Sequence, residues 1–372
     1  TTNAFAVEEH ADVKPPNITG ASLHYGRGVL TVTSDEYVDL TPISLVNTSL
    51  LRLSNISGDY TVALPYAGAS TDSIEELYSS SKQGDGYVFN VTLTEAQRAI
   101  AIANSATPGG DSTTLLLDAA LGSFADIGEN PSITQNGIVL HEVPDTFTPI
   151  VVYAEIHFGL FYIKFTANEY IDSTPRSKVN LSNIFISNVT GDARVPLAGM
   201  VVVENDGYNV TIELTETVRV AAMYLSATDA GDGIDACNLD FRLASILDIG
   251  QNFNDQEFSI VMTEFPDEDS PKFLSASINY STGILIIGCQ ETLRLSDASK
   301  NDISKYFISN TTGPRTVEIG LDGAAFLPEV LSDGLSITIR LTETQRVQAI
   351  AVSGTSGGDG RLVDISIDAN AT

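Results

Sequence analysis

Tyr87-Val88-Phe89-Asn90-Val91-Thr92-Leu93-Thr94-Glu95 decides how this chain is read. From Phe89 to Leu93 apolar and polar side chains alternate, the period of a half-buried strand, and the run then passes straight into a helix start. Thr94 is a natural N-cap, and Gln97 three residues on supplies the other half of a capping box. The phrase returns as Leu214-Thr215-Glu216 and again as Ile337-Thr338-Ile339-Arg340-Leu341-Thr342-Glu343. Upstream of each copy stands Asn-x-Ser/Thr-Gly, at Asn55 to Gly58, Asn188 to Gly191 and Asn310 to Gly313. Landmarks recur at roughly 120 to 130 residues, a domain-sized period rather than a solenoid one.

The repeats divide the chain into residues 1–13, the last strand of a preceding repeat, then repeat 1 (14–145), repeat 2 (146–268) and repeat 3 (269–372). Asn3 to Glu9 parallels the segments that close repeat 1 (Gly137 to Pro144) and repeat 2 (Phe258 to Pro266), whereas repeat 3 has no such closing segment. Two expectations follow: a window on a longer array, or completion of repeat 3 by a strand from another copy, which would make a polymer.

Within a repeat the period is mostly two, with Gly and Asn turns, so antiparallel half-buried strands are expected. Gly28, Gly159 and Gly283 are read as equivalent hairpin turns. The fold class is mainly β: tandem Ig-like β-sandwich domains, each with one short helix inserted between strands. In the helices, Ala99, Ile102 and Ala103 correspond to Val220, Met223 and Tyr224 and to Val347, Ile350 and Ala351, an apolar face at i, i+3, i+4. Glu95/Arg98, Glu216/Arg219 and Glu343/Arg346 are expected to be exposed i,i+3 ion pairs rather than catalytic ones. The linkers are short, and each holds two prolines (Pro15-Pro16; Pro144 and Pro149; Pro266 and Pro271), which stiffens the succession.

The chain has 19 basic against 48 acidic residues, net −29, which argues against nucleic acid or an anionic membrane surface as partner. No stretch has the length and apolarity of a membrane span, so direct membrane insertion is not expected. Ten Asn-x-Ser/Thr sites occur, at Asn17, Asn47, Asn55, Asn90, Asn180, Asn188, Asn209, Asn279, Asn310 and Asn370, and several share one position between repeats. They imply a secreted chain carrying covalent N-glycans, although Asn-x-Thr-Gly is also simply a good turn. Only two cysteines occur, Cys237 and Cys289, in different repeats; a bridge would staple neighbours, and two buried thiols are the plainer alternative.

These residues carry a resemblance. The run Val143-Pro144-Asp145-Thr146-Phe147-Thr148-Pro149, its counterparts around Lys14-Pro15-Pro16 and Ser270-Pro271-Lys272, the hairpins that follow, Leu341-Thr342-Glu343-Thr344-Gln345 and Asp126-Ile127-Gly128-Glu129-Asn130 stand in fixed order. This pattern resembles the tandem Ig-like repeats of surface and fibrous glycoproteins of heterokont algae and related protists. The resemblance implies a structural subunit of an extracellular glycoprotein filament, a tubular mastigoneme-type flagellar hair or a cell-surface fibre. Its partners would be other copies of itself and other fibre glycoproteins. The alternative is an adhesin or receptor ectodomain whose repeats act as a stalk. Repeat 3 departs from the pattern, with Cys289-Gln290-Glu291-Thr292-Leu293 read against Asp35-Glu36-Tyr37-Val38-Asp39.

No enzyme chemistry emerges. The four histidines form no metal-type pair, and Gly354-Thr355-Ser356-Gly357-Gly358 matches a nucleophile elbow in a repeat that holds no histidine. Calcium is the one cofactor with a physical case: Asp35, Glu36, Glu142, Asp145, Glu264 and Asp267 put carboxylates at the joints. Clustered acids in linkers are, against this, commonly just solvated.

Overall fold

The computed structural model describes residues 5–56, 62–63, 85–188, 194–229, 231, 234–296, 301–310, 318–328, 332–369 and 371. The chain is mainly β, and it falls into two compact units, Thr1–Pro266 and Asp267–Thr372.

In repeat 1 the order is β1 (Ile18–His24), β2 (Val29–Val38), β3 (Leu51–Ser54), β4 (Val62–Ala63), β5 (Gly86–Thr92), α1 (Glu95–Ala103), β6 (Leu116–Ala119) and β7 (Gln135–Val143). β1 and β2 form the expected hairpin, with Leu23 opposite Leu30, and β2 pairs with β5. β7 joins two groups of strands: it runs antiparallel to β6 and parallel to β1, giving the order β4-β3-β6-β7-β1-β2-β5. Alternation sends Leu30, Val32, Phe89 and Val91 inward against Leu51, Leu53 and Leu117, and Leu140 of β7 completes this core. Each such side chain contributes about 1.5–3 kcal/mol on burial.

Repeat 2 repeats the plan with β8 (Val151–His157), β9 (Tyr162–Ile171), β10 (Ile184–Ser187), β11 (Val195–Pro196), β12 (Val201–Val202), β13 (Gly207–Glu213), α2 (Glu216–Met223), β14 (Asn238–Phe241), β15 (Glu257–Val261) and β16 (Thr263–Phe265). Here the closing segment is split, β15 pairing antiparallel with β14 and β16 parallel with β8, and Met262 between them is buried. A second, separate core draws on both sheets.

The unit Asp267–Thr372 contains β17 (Phe273–Asn279), β18 (Ile284–Leu293), β19 (Tyr306–Ser309), β20 (Glu318–Gly320), β21 (Ala325–Leu327), β22 (Gly334–Arg340), α3 (Glu343–Ala351) and β23 (Asp364–Ile367). Its sheets are ordered β17-β18-β22-β21 and β20-β19-β23, so β17 and β23 are both edges.

Three details of the sequence reading change. The residue equivalent to Gly28 and Gly283 is Phe161, not Gly159: the carbonyls of Gly28, Phe161 and Gly283 accept from Leu93, Leu214 and Leu341, and all three have φ near +60°. A side chain in that region is strained, and Phe161 recovers interaction energy by lying 4.6 Å under the Arg219 guanidinium. Second, the backbone bonds Asp35 to Asn17, Asn168 to Ile150 and Gln290 to Lys272 set the true alignment. Glu291 therefore matches Glu36 and Glu169, and repeat 3 keeps that acid. Third, both full capping boxes form, at Thr94/Gln97 and Thr342/Gln345, but the helix face that turns inward is Arg98, Ala101 and Ile102, one residue away from the expected stripe. Val347 and Tyr224 are about half exposed instead.

Candidate functional site: the joint between repeats 1 and 2

The inward turn of α1 has a consequence for its ion pair. Glu95 at the first helical position and Arg98 three residues on share one face, which here looks onto the start of repeat 2. Arg98 is only 5% exposed, not a surface partner. Its Nε donates to Glu95 Oε2 at 2.6 Å and one terminal nitrogen donates to Glu95 Oε1 at 2.5 Å. The other terminal nitrogen donates to Asp145 Oδ2, and a further bond reaches Glu169 Oε2 at 3.0 Å. Glu95 Oε1 in turn accepts from the Tyr170 amide at 2.9 Å, so the helix start is tied to β9 through both side chain and backbone.

Asp145 is held in place by accepting from the Phe147 amide at 3.0 Å, the turn its Asp-x-Phe sequence favours. Asp248 comes from the Asp-Ile-Gly phrase, its oxygens accepting from the backbone and side-chain nitrogens of Asn252 at 2.7 and 3.0 Å. One carboxylate oxygen from each of Asp145, Glu169 and Asp248 lies within 4.8 Å of the others, and all three residues are buried. Burial pushes the Glu169 carboxyl up to about 8, with the nearby Asp248 charge raising it further and Arg98 opposing. Burial likewise lifts Asp248 to about 6 against its Asn252 bonds. Burial alone would lower the Arg98 pKa, but the bonds from Glu95 and the charges of Asp145 and Glu169 outweigh it and keep the guanidinium charged.

Apolar packing seals the joint. Ile249, beside Asp248, packs on the core of repeat 1. Its carbonyl lies so close to Gly109, at φ +88°, that a Cβ there would sit 2.1 Å away. Tyr170 and Tyr208 stack edge to face at 4.8 Å beside the carboxylates.

Of the joint acids singled out by sequence, Asp145 belongs to this cluster and Glu36 to a related one with Asp12 and Asp126. Asp35 caps the Asn17 amide at 2.8 Å and lies 3.4 Å from Lys14 Nζ. Glu142 accepts from the Tyr25 hydroxyl at 2.6 Å, Glu264 from the amides of Cys237 and Ala227 at 2.8 and 3.0 Å, and Asp267 from the Asp269 amide at 3.1 Å. These four act as hydrogen-bond acceptors. At the one joint inside this unit the positive charge among the acids is a guanidinium. Glu169 lies in the acidic turn Asn168-Glu169-Tyr170-Ile171-Asp172, the repeat 2 counterpart of Asp35 to Asp39 that the sequence marks for an ion or a domain contact; Asp248 escaped the sequence reading as a joint residue, although the recurrence of Asp126-Ile127-Gly128 as Asp248-Ile249-Gly250 was a signal for it.

The sequon asparagines fall into different settings. Asn47, Asn180, Asn209 and Asn279 are exposed, and Asn17 and Asn90 are half-buried. Asn90 and Asn209 accept from Thr31 and Thr166, each at 2.7 Å. Asn55 donates to Asp111 at 2.8 Å and Asn310 to Asp359 at 2.8 Å, tying a strand end to the loop after the helix. Asn310 is 7% exposed, Asn188 is half-buried at the equivalent place, and Asn370 lies outside the described residues. Cys237 and Cys289 are buried in separate cores and are not joined by a disulfide, and the Cys237 thiol donates to the Ala222 carbonyl at 3.4 Å. The Gly354 to Gly358 segment is the turn after α3, where Ser353 and Thr355 pair at 2.7 Å just as Ser105/Thr107 and Ser226/Thr228 do. That recurrence gives the motif a structural cause.

No family model and no curated protein matches the chain. Among solved structures it is similar to one described as "Crystal structure of the S-layer protein rSbsC(31-844)", at 9% identity and a TM-score of 0.20, over 87% of this chain and 50% of that one. The chain thus spans about half the length of that structure, and a likeness this distant carries no argument.

Proposed function

We propose that this chain is a structural subunit of an extracellular glycoprotein filament, a cell-surface fibre or flagellar hair, built from tandem Ig-like β-sandwich repeats and assembling with other copies. The observation that carries the reading is the buried Arg98 joint. A guanidinium held by carboxylates from its own helix, the following linker and the next repeat's hairpin fixes orientation, which a passive tether does not require. Removing solvent from so many charges is costly and brings little net stability, so such a device suits geometric specificity. Exposed sequons at Asn47, Asn180, Asn209 and Asn279 support a glycosylated surface. The joint contains no nucleophile and base pair, and the reading assigns it no catalytic role.

Immunogold electron microscopy of intact source cells with antibodies against the chain tests this. Label spaced regularly along fibres outside the cell supports it; label on isolated membrane-attached rods would favour the stalk of an adhesin instead, and intracellular label would exclude both.

A further inference from the structure

Arg98 answers only part of the negative charge in the joint. Glu95, Asp145, Glu169 and Asp248 bring four carboxyl groups there, and the cation bonded among them is a single guanidinium. It takes both oxygens of Glu95, Oδ2 of Asp145 and Oε2 of Glu169. The second oxygen of Glu169, Oε1, is buried and has no hydrogen-bond partner among the described residues. Glu169 as a whole is 8% exposed, so bulk water does not hydrate that oxygen. A buried carboxylate oxygen without a donor is costly, and it calls for a partner of another kind.

The free oxygen belongs to a cluster with the dimensions of a cation site. Asp145, Glu169 and Asp248 each offer one carboxylate oxygen within 4.8 Å of the others. Two oxygens bound to one calcium ion at about 2.4 Å stand at most about 4.8 Å apart, on opposite sides of it. The ligands are also held in advance. Asp145 sits where Gly26 of repeat 1 and Gly250 of repeat 2 leave room, since a Cβ on either would lie 2.9 Å and 2.8 Å from its side chain. Its Oδ1 is fixed by the Phe147 amide, and both oxygens of Asp248 are fixed by Asn252. A carboxylate oxygen that accepts one hydrogen bond keeps a second lone pair, so these contacts leave coordination open. Asp12, Glu36 and Asp126, the equivalent positions one repeat earlier, converge within the same 4.8 Å. The grouping is therefore part of the repeat plan.

We propose that the joint between repeats 1 and 2 is a calcium site, in which Asp145, Glu169 and Asp248 coordinate one ion beside the Arg98 guanidinium. The ion supplies the partner that Glu169 Oε1 lacks. Four ionised carboxylates against one guanidinium leave three net negative charges in the joint, and a dication reduces them to one. Arg98 and the ion share the carboxylates: the guanidinium holds Oδ2 of Asp145 and Oε2 of Glu169, and the ion takes the oxygens turned away from it. Calcium suits the ligand set better than magnesium. Three carboxylates fixed on separate stretches of backbone do not make the near-ideal octahedron that magnesium demands, whereas calcium accepts irregular oxygen shells. The consequence is a joint whose rigidity depends on the ion. Calcium ties the linker, through Asp145, to β9 and the Asp248 turn of repeat 2, and Arg98 carries that tie to α1 of repeat 1. The inference holds for a fibre and for a stalk alike, so it goes beyond the filament reading and does not rest on it.

Amide hydrogen exchange of the full chain, in chelator and in calcium chloride, tests the proposal at the Tyr170 amide, which donates to Glu95 inside the joint. Calcium at about a hundred times its dissociation constant should slow that exchange about a hundredfold, the linkage effect of an ion bound only to the closed joint. Magnesium chloride at the same concentration should slow it far less. Glu169→Gln, which keeps the shape of the side chain and removes its charge, should lose the calcium effect, and Asp248→Asn should lose it too. Glu36→Gln, which alters the related cluster with Asp12 and Asp126, should keep it. Tyr170 exchange in the parent that ignores calcium overturns the inference without recourse to any variant. So does magnesium protecting as well as calcium, a Glu169→Gln chain protected like the parent, or loss of the effect in Glu36→Gln.

Discussion

Replacing Arg98 by alanine removes the guanidinium bonded to Glu95, Asp145 and Glu169 and leaves those carboxyl groups, with Asp248, facing one another in a buried joint. Stripping one partner from a buried charge cluster costs ~3–5 kcal/mol, because the remaining charges are neither hydrated nor paired. The loss should be local. The Tyr170 amide, which donates to Glu95, reports on the joint itself, and about 3 kcal/mol corresponds to exchange with solvent at least about a hundredfold faster. Urea unfolding of the full chain should lose stability to match, with the transitions of the two cores in Thr1–Pro266 drawing apart once they no longer support each other. The deficit should be largest above about pH 8, where Glu169 ionises, and should shrink toward pH 5 as Asp248, raised to about 6, joins Glu169 in the neutral form. Arg98→Lys should recover little, since one ammonium cannot hold Glu95 in two places while reaching Asp145. Arg346→Ala is the control: it removes the equivalent helix-start arginine from the other unit, where the pair with Glu343 is largely exposed, and should leave Tyr170 exchange and the melting of Thr1–Pro266 at parent values. An Arg98→Ala chain that loses less than about 1 kcal/mol, or one whose Tyr170 amide exchanges at the parent rate, would refute the claim that the guanidinium locks the joint.

Other outcomes follow from the same geometry. Glu169 is raised from 4.5 to about 8 by folding, so its contribution is complete below about pH 4.5 and is lost as pH climbs through about 8. That amounts to about 5 kcal/mol at most, and a Glu169→Gln chain should show a flatter melting profile between pH 5 and 9. Gly109→Ala puts a methyl where the Ile249 carbonyl already lies, at a φ that L-residues avoid; it should destabilise the joint by about 1–3 kcal/mol and speed Tyr170 exchange while leaving the Asp267–Thr372 unit unchanged. Glycopeptide mass spectrometry of native material should find Asn180 and Asn209 occupied and Asn310 bare, since Asn310 is buried against Asp359; a glycan on Asn310 would contradict its placement.

Much of the β framework was legible because its causes are local. Alternation at Phe89 to Leu93, the Thr94/Gln97 box and the Gly28 and Gly283 turns each act within a few residues, and strand, cap and turn appear where those signals stand. The joint was not legible for the opposite reason. A Glu-x-x-Arg pair at a helix start reads as solvated in any single-helix view, and only the seating of β9 and the Asp248 turn buries Arg98 at 5% exposure. The helix face was misjudged by one residue because arginine was scored as polar, although its stem packs like an apolar side chain. Phe161 hid from a search for glycine, since its left-handed backbone is compensated by the Arg219 stack rather than by the lack of a side chain. Acid clustering along the sequence pointed to the joints but not to the partners, because Asp145, Glu169 and Asp248 are brought together only by the fold.

Cryo-electron microscopy of native extracellular material, at a resolution that shows side chains, tests the central claim most directly. The account predicts a continuous filament with one axial repeat per chain, in which Arg98 sits between Asp145 and Glu169 at the junction of repeats 1 and 2. Particles that never associate along an axis, or a filament in which that arginine faces solvent and the repeats meet through other surfaces, would contradict it.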